Sequence, residues 1–192
     1  LDTKIFKPIN QTKARTALSV PLDRKIVLFV SERIDNQRKG GSLLPVIIQK
    51  LKEENIYFYS IGAPKVEEID DNLFQLGIIQ DEETMAKVYN IADVLILPST
   101  EDNLPNVMVE ALCCGLPVVS FSNGGMNEII KSGENGLLVK EQTPEAMIRA
   151  VKEYFLNSGK YDKVNISENA QSLFNASNQA KAYIEVYQEL LK

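Results

Sequence analysis

The sequence predicts an α/β domain built as a doubly wound parallel sheet of about six strands, ending in a C-terminal helix. Three observations carry this prediction. Short β-branched and aromatic runs alternate along the chain with longer segments of helical period. The length of 192 residues suits one domain. The mixture of 44% hydrophobic and 24% charged residues is that of a globular protein with a proper core. A β-α-β-α succession implies parallel strands covered on both faces, and ligands in such sheets settle at the carboxyl ends of the strands.

In chain order, residues 1–23 carry Pro8, Pro21 and a basic helical patch at 13–18, and read as a linker and lead-in. Residues 24–172 form the predicted domain. Its strands are expected at 26–30, 57–61, 73–76, 94–97, 118–121 and 137–139, and its helices at 42–54, 82–91, 106–114, 127–131 and 145–156. Asp81 and Thr143 are suited to N-capping, and Pro144 to a first helical position. The tail from 165 to 192 looks helical throughout, with residues 173–192 as a terminal helix. Tyr183, Val186, Tyr187, Leu190 and Leu191 form an apolar stripe on it that must pack on something.

Composition removes several classes of function. No apolar run approaches the roughly 18–20 residues that span a bilayer, and the first residues have neither the basic nor the apolar region of a signal peptide. A net charge of −5, from 26 acidic and 21 basic side chains, argues against nucleic-acid binding, so an anionic ligand must be caught locally. Cys113 and Cys114 are sequence neighbours in an apolar stretch. A disulfide between them would be strained and a zinc site lacks partners, so they read as buried, reduced thiols of a cytoplasmic protein. Histidine is absent, which excludes Ser-His-Asp, Cys-His and imidazole-metal chemistry.

Three loops could carry chemistry. The first, from Ser31 to Gly41, brings Arg33, Arg38 and Lys39 to the start of a helix, where cationic side chains and free N–H groups suit an anion; a solvated basic loop is the plain alternative. Neither the P-loop nor the dinucleotide fingerprint is present. In the second, Glu101 and Asp102 precede a helix that is apolar nearly all round, yet carries Glu110. A carboxylate there must be ion-paired, hydrogen-bonded or used by a ligand, and Asp102 with Glu110 would line one crevice. A helix cap would also explain the Asp. The third holds Gly124-Gly125, which permits close backbone approach or makes a tight turn. All three fall at the same predicted sheet edge.

These residues also form a pattern. Asp102 is followed after seven residues by Glu110-Ala111-Leu112, then Gly115-Leu116-Pro117-Val118-Val119; Gly124-Gly125-Met126-Asn127-Glu128-Ile129 and Gly133-Glu134-Asn135-Gly136 lie downstream, and Arg33 with Lys39-Gly40 upstream. Over nearly its whole length the chain resembles the C-terminal, donor-binding half of a GT-B-fold retaining glycosyltransferase of family 4, the glycosyl transferases group 1. The opening Leu1-Asp2-Thr3-Lys4-Ile5-Phe6-Lys7-Pro8 is similar to that family's interdomain segment.

The resemblance implies a Rossmann-like donor domain in which Arg33 and Lys39 hold the diphosphate, taking the place of a metal. Asp102 faces the donor sugar, and Glu110 accepts from the ribose hydroxyls. The backbone from Asn103 through Leu104 and Pro105 to Asn106 offers N–H groups. Gly62 and Ile79, in loops after the second and third strands, border the base, and Gly124-Gly125 shape the pocket floor. No metal or cofactor is expected, only a nucleotide diphosphate sugar as substrate, with UDP the expected nucleotide. The acceptor is expected to be a saccharide or lipid-linked, in cell-surface polysaccharide synthesis. The acceptor-binding N-terminal domain is expected to be missing, leaving this half inactive alone and its terminal stripe exposed or paired with a second copy. The full-length enzyme is expected in the cytoplasm, at the inner face of the membrane. Two departures stand out: Asp102 occupies a position that is usually Glu, and Asn103-Leu104-Pro105 replaces a usual Gly-Phe-Gly. A nucleotide-sugar epimerase half of the same fold, and a flavodoxin-like interaction module without a ligand, are the alternatives.

Overall fold

The computed structural model describes residues 1–33, 36–63 and 71–191. Ile34 and Asp35 of the first loop, and Lys192 of the predicted tail, lie outside the described residues.

The elements run α1 (Gln11–Ala17), β1 (Lys25–Arg33), α2 (Leu44–Lys52), β2 (Ile56–Ala63), β3 (Leu73–Gly77), α3 (Glu82–Ile91), β4 (Val94–Leu97), α4 (Asn106–Cys113), β5 (Val118–Phe121), α5 (Met126–Ile129), β6 (Gly136–Val139), α6 (Pro144–Leu156), α7 (Lys163–Phe174) and α8 (Ala176–Leu190). All six strands pair in parallel, in the order β3-β2-β1-β4-β5-β6. The order reverses between β1 and β4, and a crevice opens outside the carboxyl ends of strands at such a point. The central strands are covered on both faces, which is why Ile26, Val27, Leu28, Val94, Leu95 and Ile96 form unbroken apolar runs, all fully buried.

Local chemistry sets the helix starts. The Asp81 carboxylate accepts from Thr84 N at 2.7 Å to open α3, and Thr143 Oγ1 accepts from Ala146 N at 3.2 Å to open α6. The predicted helix at 42–54 is shorter than expected. The chain enters it through two 3-10 turns, Gln37–Lys39 and Gly41–Leu43, before α2 proper. β1 and β2 run past their predicted ends because pairing resumes after an irregularity, setting Arg33 opposite Ala63. Gly62 therefore lies within β2 and is buried, not in the loop expected for it; its φ of 139° is one that glycine tolerates.

Residues 1–23 are fastened into the domain. Phe6, Ala14 and Val20 belong to the core. The Arg15 guanidinium, almost wholly buried, donates to the carbonyls of Ile91, Leu22 and Arg24 and to both carboxylate oxygens of Asp93. Asp93 also accepts from Ile26 N at 2.7 Å and from the Gln11 amide at 3.0 Å, so one buried pair ties α1 to β1 and to the start of β4.

The tail is not one helix. Asn175, with ψ at 129°, ends α7 and uses its side chain to accept from Ser177 N at the start of α8. α7 is bound to the body: Ser167 Oγ donates to Cys113 O at 2.6 Å, and the Gln171 amide reaches Cys113 O and Phe6 O. α8 is not. The stripe of Tyr183, Val186, Tyr187, Leu190 and Leu191 is 51–87% exposed. Cys113 and Cys114 are free and buried, and burial pushes the Cys113 thiol up to about 11, so both stay protonated packing groups. No helix among the described residues is long and apolar enough to cross a membrane.

Candidate functional site

Three loops meet at the carboxyl edge of the sheet. In the loop after β1, the Asn36 side chain accepts from Arg38 N at 3.0 Å, and Gly40 closes the turn with φ 80°. A Cβ on Gly40 would stand 2.3 Å from Pro98 O, so only glycine lets this loop lie against the loop after β4. Thr100 N donates to Arg38 O at 2.9 Å and seals that contact. The loop after β5 closes from the other side. Asn123 Nδ2 donates to Ser99 O at 2.6 Å, Gly125 N donates to Asn103 O at 2.6 Å, and a Cβ on Gly124 would come within 1.9 Å of Asp102 O. The glycine pair thus serves close backbone approach, here to the Asp102–Asn103 loop of the protein itself.

At the meeting point the Lys39 ammonium donates to Asp102 Oδ2 at 2.5 Å, and Asn103 N donates to Asp102 Oδ1 at 3.1 Å. Arg38, Thr100, Glu101, Asp102, Asn103, Asn123 and Gly124 line a cavity of about 490 Å³. Its lining combines the cationic Arg38 with the acidic Glu101 and Asp102. Such a cavity can take an anion bearing hydroxyl groups, the anion against Arg38 and Lys39 and the hydroxyls against the carboxylates. Asn123 Oδ1 is buried with no donor among the described residues. A larger recess of about 830 Å³ beside α5, α7 and α8 holds none of the predicted site residues.

The predicted residues divide accordingly. Lys39, Asp102, Asn103, Gly124 and Gly125 are brought together. Arg33 ends β1 at the same sheet edge and is exposed. Leu104, Pro105 and Asn106 lead into α4, with Pro105 buried in the N-cap position. Ile79 follows β3, half-buried against the core, and Gly62 lies at the end of β2; both belong to the outer half of the sheet beyond β1. Asp102 lines the cavity directly, and Glu110 stands in the second turn of α4, outside the residues that line it. Glu110 instead meets α3, where the Tyr89 hydroxyl donates to Glu110 Oε2 at 2.7 Å.

Burial pushes the Glu110 carboxyl above the usual range, opposed by the Tyr89 hydrogen bond and reinforced by the charge of Glu82. A raised folded-state value means that ionised Glu110 costs stability at neutral pH, and that the cost disappears once pH falls below the ordinary Glu value of about 4.3. Glu110→Gln, which keeps an acceptor for Tyr89, is therefore expected to stabilise the protein by about 1 kcal/mol at pH 7–8. The gain should shrink toward zero near pH 4, as read by urea unfolding at each pH.

Sequence reasoning did not find Tyr89, Thr100 and Asn123. Asn123 had a signal, since it stands directly before the glycine pair in a loop after a strand. Thr100 reaches Arg38 O, 62 positions away, through its backbone N–H and its hydroxyl, and Tyr89 acts through a partner 21 positions away, so neither has a local signature.

Solved structures share this architecture. The chain superposes over its full length on 51% of the sucrose-phosphate synthase of Thermosynechococcus elongatus, with a TM-score of 0.83 at 25% identity. It superposes over 98% of its length on 56% of the Anabaena protein HepE, solved in complex with UDP-glucose, with a TM-score of 0.82 at 19% identity. The reversed strand order, the crevice at its switch point and the loops that floor it define the Rossmann-like C-terminal half of a GT-B glycosyltransferase. Residues 24–157 match the family profile of the glycosyl transferases group 1, and the chain belongs to that family. Relatives include an uncharacterized glycosyltransferase of Methanocaldococcus jannaschii, 28% identical over 90% of this chain and 47% of its own length. Another is the D-inositol 3-phosphate glycosyltransferase of Geodermatophilus obscurus, 30% identical over 79% of this chain and 38% of its own. The chain spans about half the length of the relatives it matches, or less.

Proposed function

We propose that this chain is the donor-binding half of a retaining, metal-independent hexosyltransferase that takes a sugar from a nucleotide diphosphate, with UDP the favoured nucleotide. The observation that carries the reading is the Lys39–Asp102 pair, set beside the Gly124-Gly125 turn at the crevice between β1 and β4. Lys39 and Arg33 receive the diphosphate and stabilise its charge as the sugar–phosphate bond breaks, which is the work a divalent cation would otherwise do. Asp102, released from Lys39 by the phosphates, turns to the hydroxyls of the donor sugar. Glu110 accepts from the ribose, Gly62 and Ile79 border the base, and amides from Asn103 to Asn106 complete the cradle. HepE, whose crystals hold UDP-glucose, supports UDP as the nucleotide. A second domain holds the acceptor, a saccharide or lipid-linked sugar of cell-surface polysaccharide synthesis; about half of each relative's length lies beyond the matched part. Without that domain this half binds nucleotide and transfers nothing.

Calorimetric titration of the chain with UDP, GDP and ADP tests the reading. One of the three is expected to bind with a dissociation constant below about 1 mM, equivalent to about 4 kcal/mol. No heat from any of them at 5 mM, on the order of five times that limit, would overturn it.

A further inference from the structure

Tyr89 has no part in the donor-site reading above, yet its hydroxyl is bonded to the carboxylate that this reading sets against the ribose. The ring is fully buried on α3, 6.2 Å from the Phe6 ring between centroids. The turn that carries it is pinned to the lead-in by its neighbour Asn90, whose amide donates to Lys7 O and Ala86 O and whose carbonyl oxygen accepts from Ile9 N at 2.6 Å. Burial and the adjacent Glu110 charge hold the Tyr89 hydroxyl far above its usual range, so it stays a donor. Among the described residues no other donor reaches the Glu110 carboxylate.

A carboxylate has two oxygens and about four acceptor sites, and it rotates about its last torsion unless something holds it. We propose that Tyr89 is a positioning residue for nucleotide recognition, fixing Glu110 Oε2 from behind so that Oε1 is presented to the paired hydroxyls of a ribose. The inference rests on the donor-site reading and adds the device that orients its ribose contact. A tyrosine that merely satisfied its own buried hydroxyl would matter equally for every ligand. A positioning tyrosine matters only for ligands whose ribose hydroxyls Glu110 accepts.

The test compares the diphosphate bound most tightly by the wild-type chain, among UDP, GDP and ADP, with its 2′,3′-dideoxy analogue. Tyr89→Phe, which keeps the ring, is expected to weaken the ribonucleotide about tenfold, the value of one hydrogen bond to a charged group. The dideoxy analogue is expected to change by less than about twofold, since Glu110 has nothing to accept from it. Glu110→Asp, which withdraws the carboxylate by one methylene and leaves Tyr89 packed, should give the same ribose-dependent loss and serves if Tyr89→Phe does not fold. No loss, or equal loss for both ligands, would overturn the positioning role. A wild-type chain that binds the ribonucleotide and its dideoxy analogue equally well would overturn the ribose role of Glu110 itself, and the proposal with it.

Discussion

Replacing Lys39 by Ala is expected to weaken nucleoside diphosphate binding about 10- to 100-fold, the range for losing charge-assisted hydrogen bonds to phosphate. Arg33→Ala should fall in the same range, and Asp102→Asn should move the other way. In the unliganded chain the Lys39 ammonium is engaged with Asp102 Oδ2, and a diphosphate must displace that carboxylate or share the lysine with it. Removing the carboxylate charge frees Lys39 and relieves repulsion of the incoming phosphates. Asp102→Asn is therefore expected to bind nucleotide several-fold more tightly, by less than about tenfold given that the pair is only partly buried. Calorimetry at fixed ionic strength measures all three variants. A loss in Asp102→Asn comparable to that in Lys39→Ala would mean that Asp102 itself grips the nucleotide, and would refute the opposed roles.

The largest effect on stability is expected far from the crevice. Arg15→Ala removes five hydrogen bonds and leaves the partly buried Asp93 without its counter-ion, and breaking a buried pair from one side costs up to about 3–5 kcal/mol. The carbonyls of Leu22 and Arg24 also lose their Arg15 donor, and that of Ile91 keeps only the Gln11 amide at 3.4 Å. Urea unfolding should show a midpoint well below wild type with an unchanged slope. Lys152→Ala, which breaks an ion pair with Glu54 between two partly exposed side chains, should leave the midpoint in place. The contrast separates a buried pair that organises three segments from a surface pair held in water.

All six strands and five of the helices could be read from the sequence because each leaves a local trace. Buried parallel strands leave apolar runs, and Asp81 and Thr143 announce α3 and α6. What could not be read depends on partners distant in sequence. Arg15 looked like part of a basic patch on a lead-in, since nothing nearby in the chain shows that Asp93 waits for it. The break at Asn175 was hidden because residues on both sides keep helical period, while an Asn can cap a helix or sit within one. In the site, the motif residues Lys39, Asp102 and Gly124-Gly125 were legible as types and did converge. Their immediate contacts were not: Gly124 approaches Asp102 O, and Glu110 faces Tyr89, pairings set by how three loops and two helices stack.

The hydrogen bond from the Gln171 amide to Phe6 O joins residues 165 positions apart, and Arg15 likewise waits on Ile91 and Asp93. A chain is synthesised from its amino end, so Phe6 and Arg15 leave the ribosome long before their partners exist. The sheet imposes the same delay, because β1 cannot gain its second neighbour until β4 is made. Folding of this domain is accordingly a late event in its own synthesis, completed only when α7 closes over α4 and the opening residues. Until then, the apolar strands that will line the centre of the sheet have no cover, and a nascent-chain chaperone has most to protect during that interval.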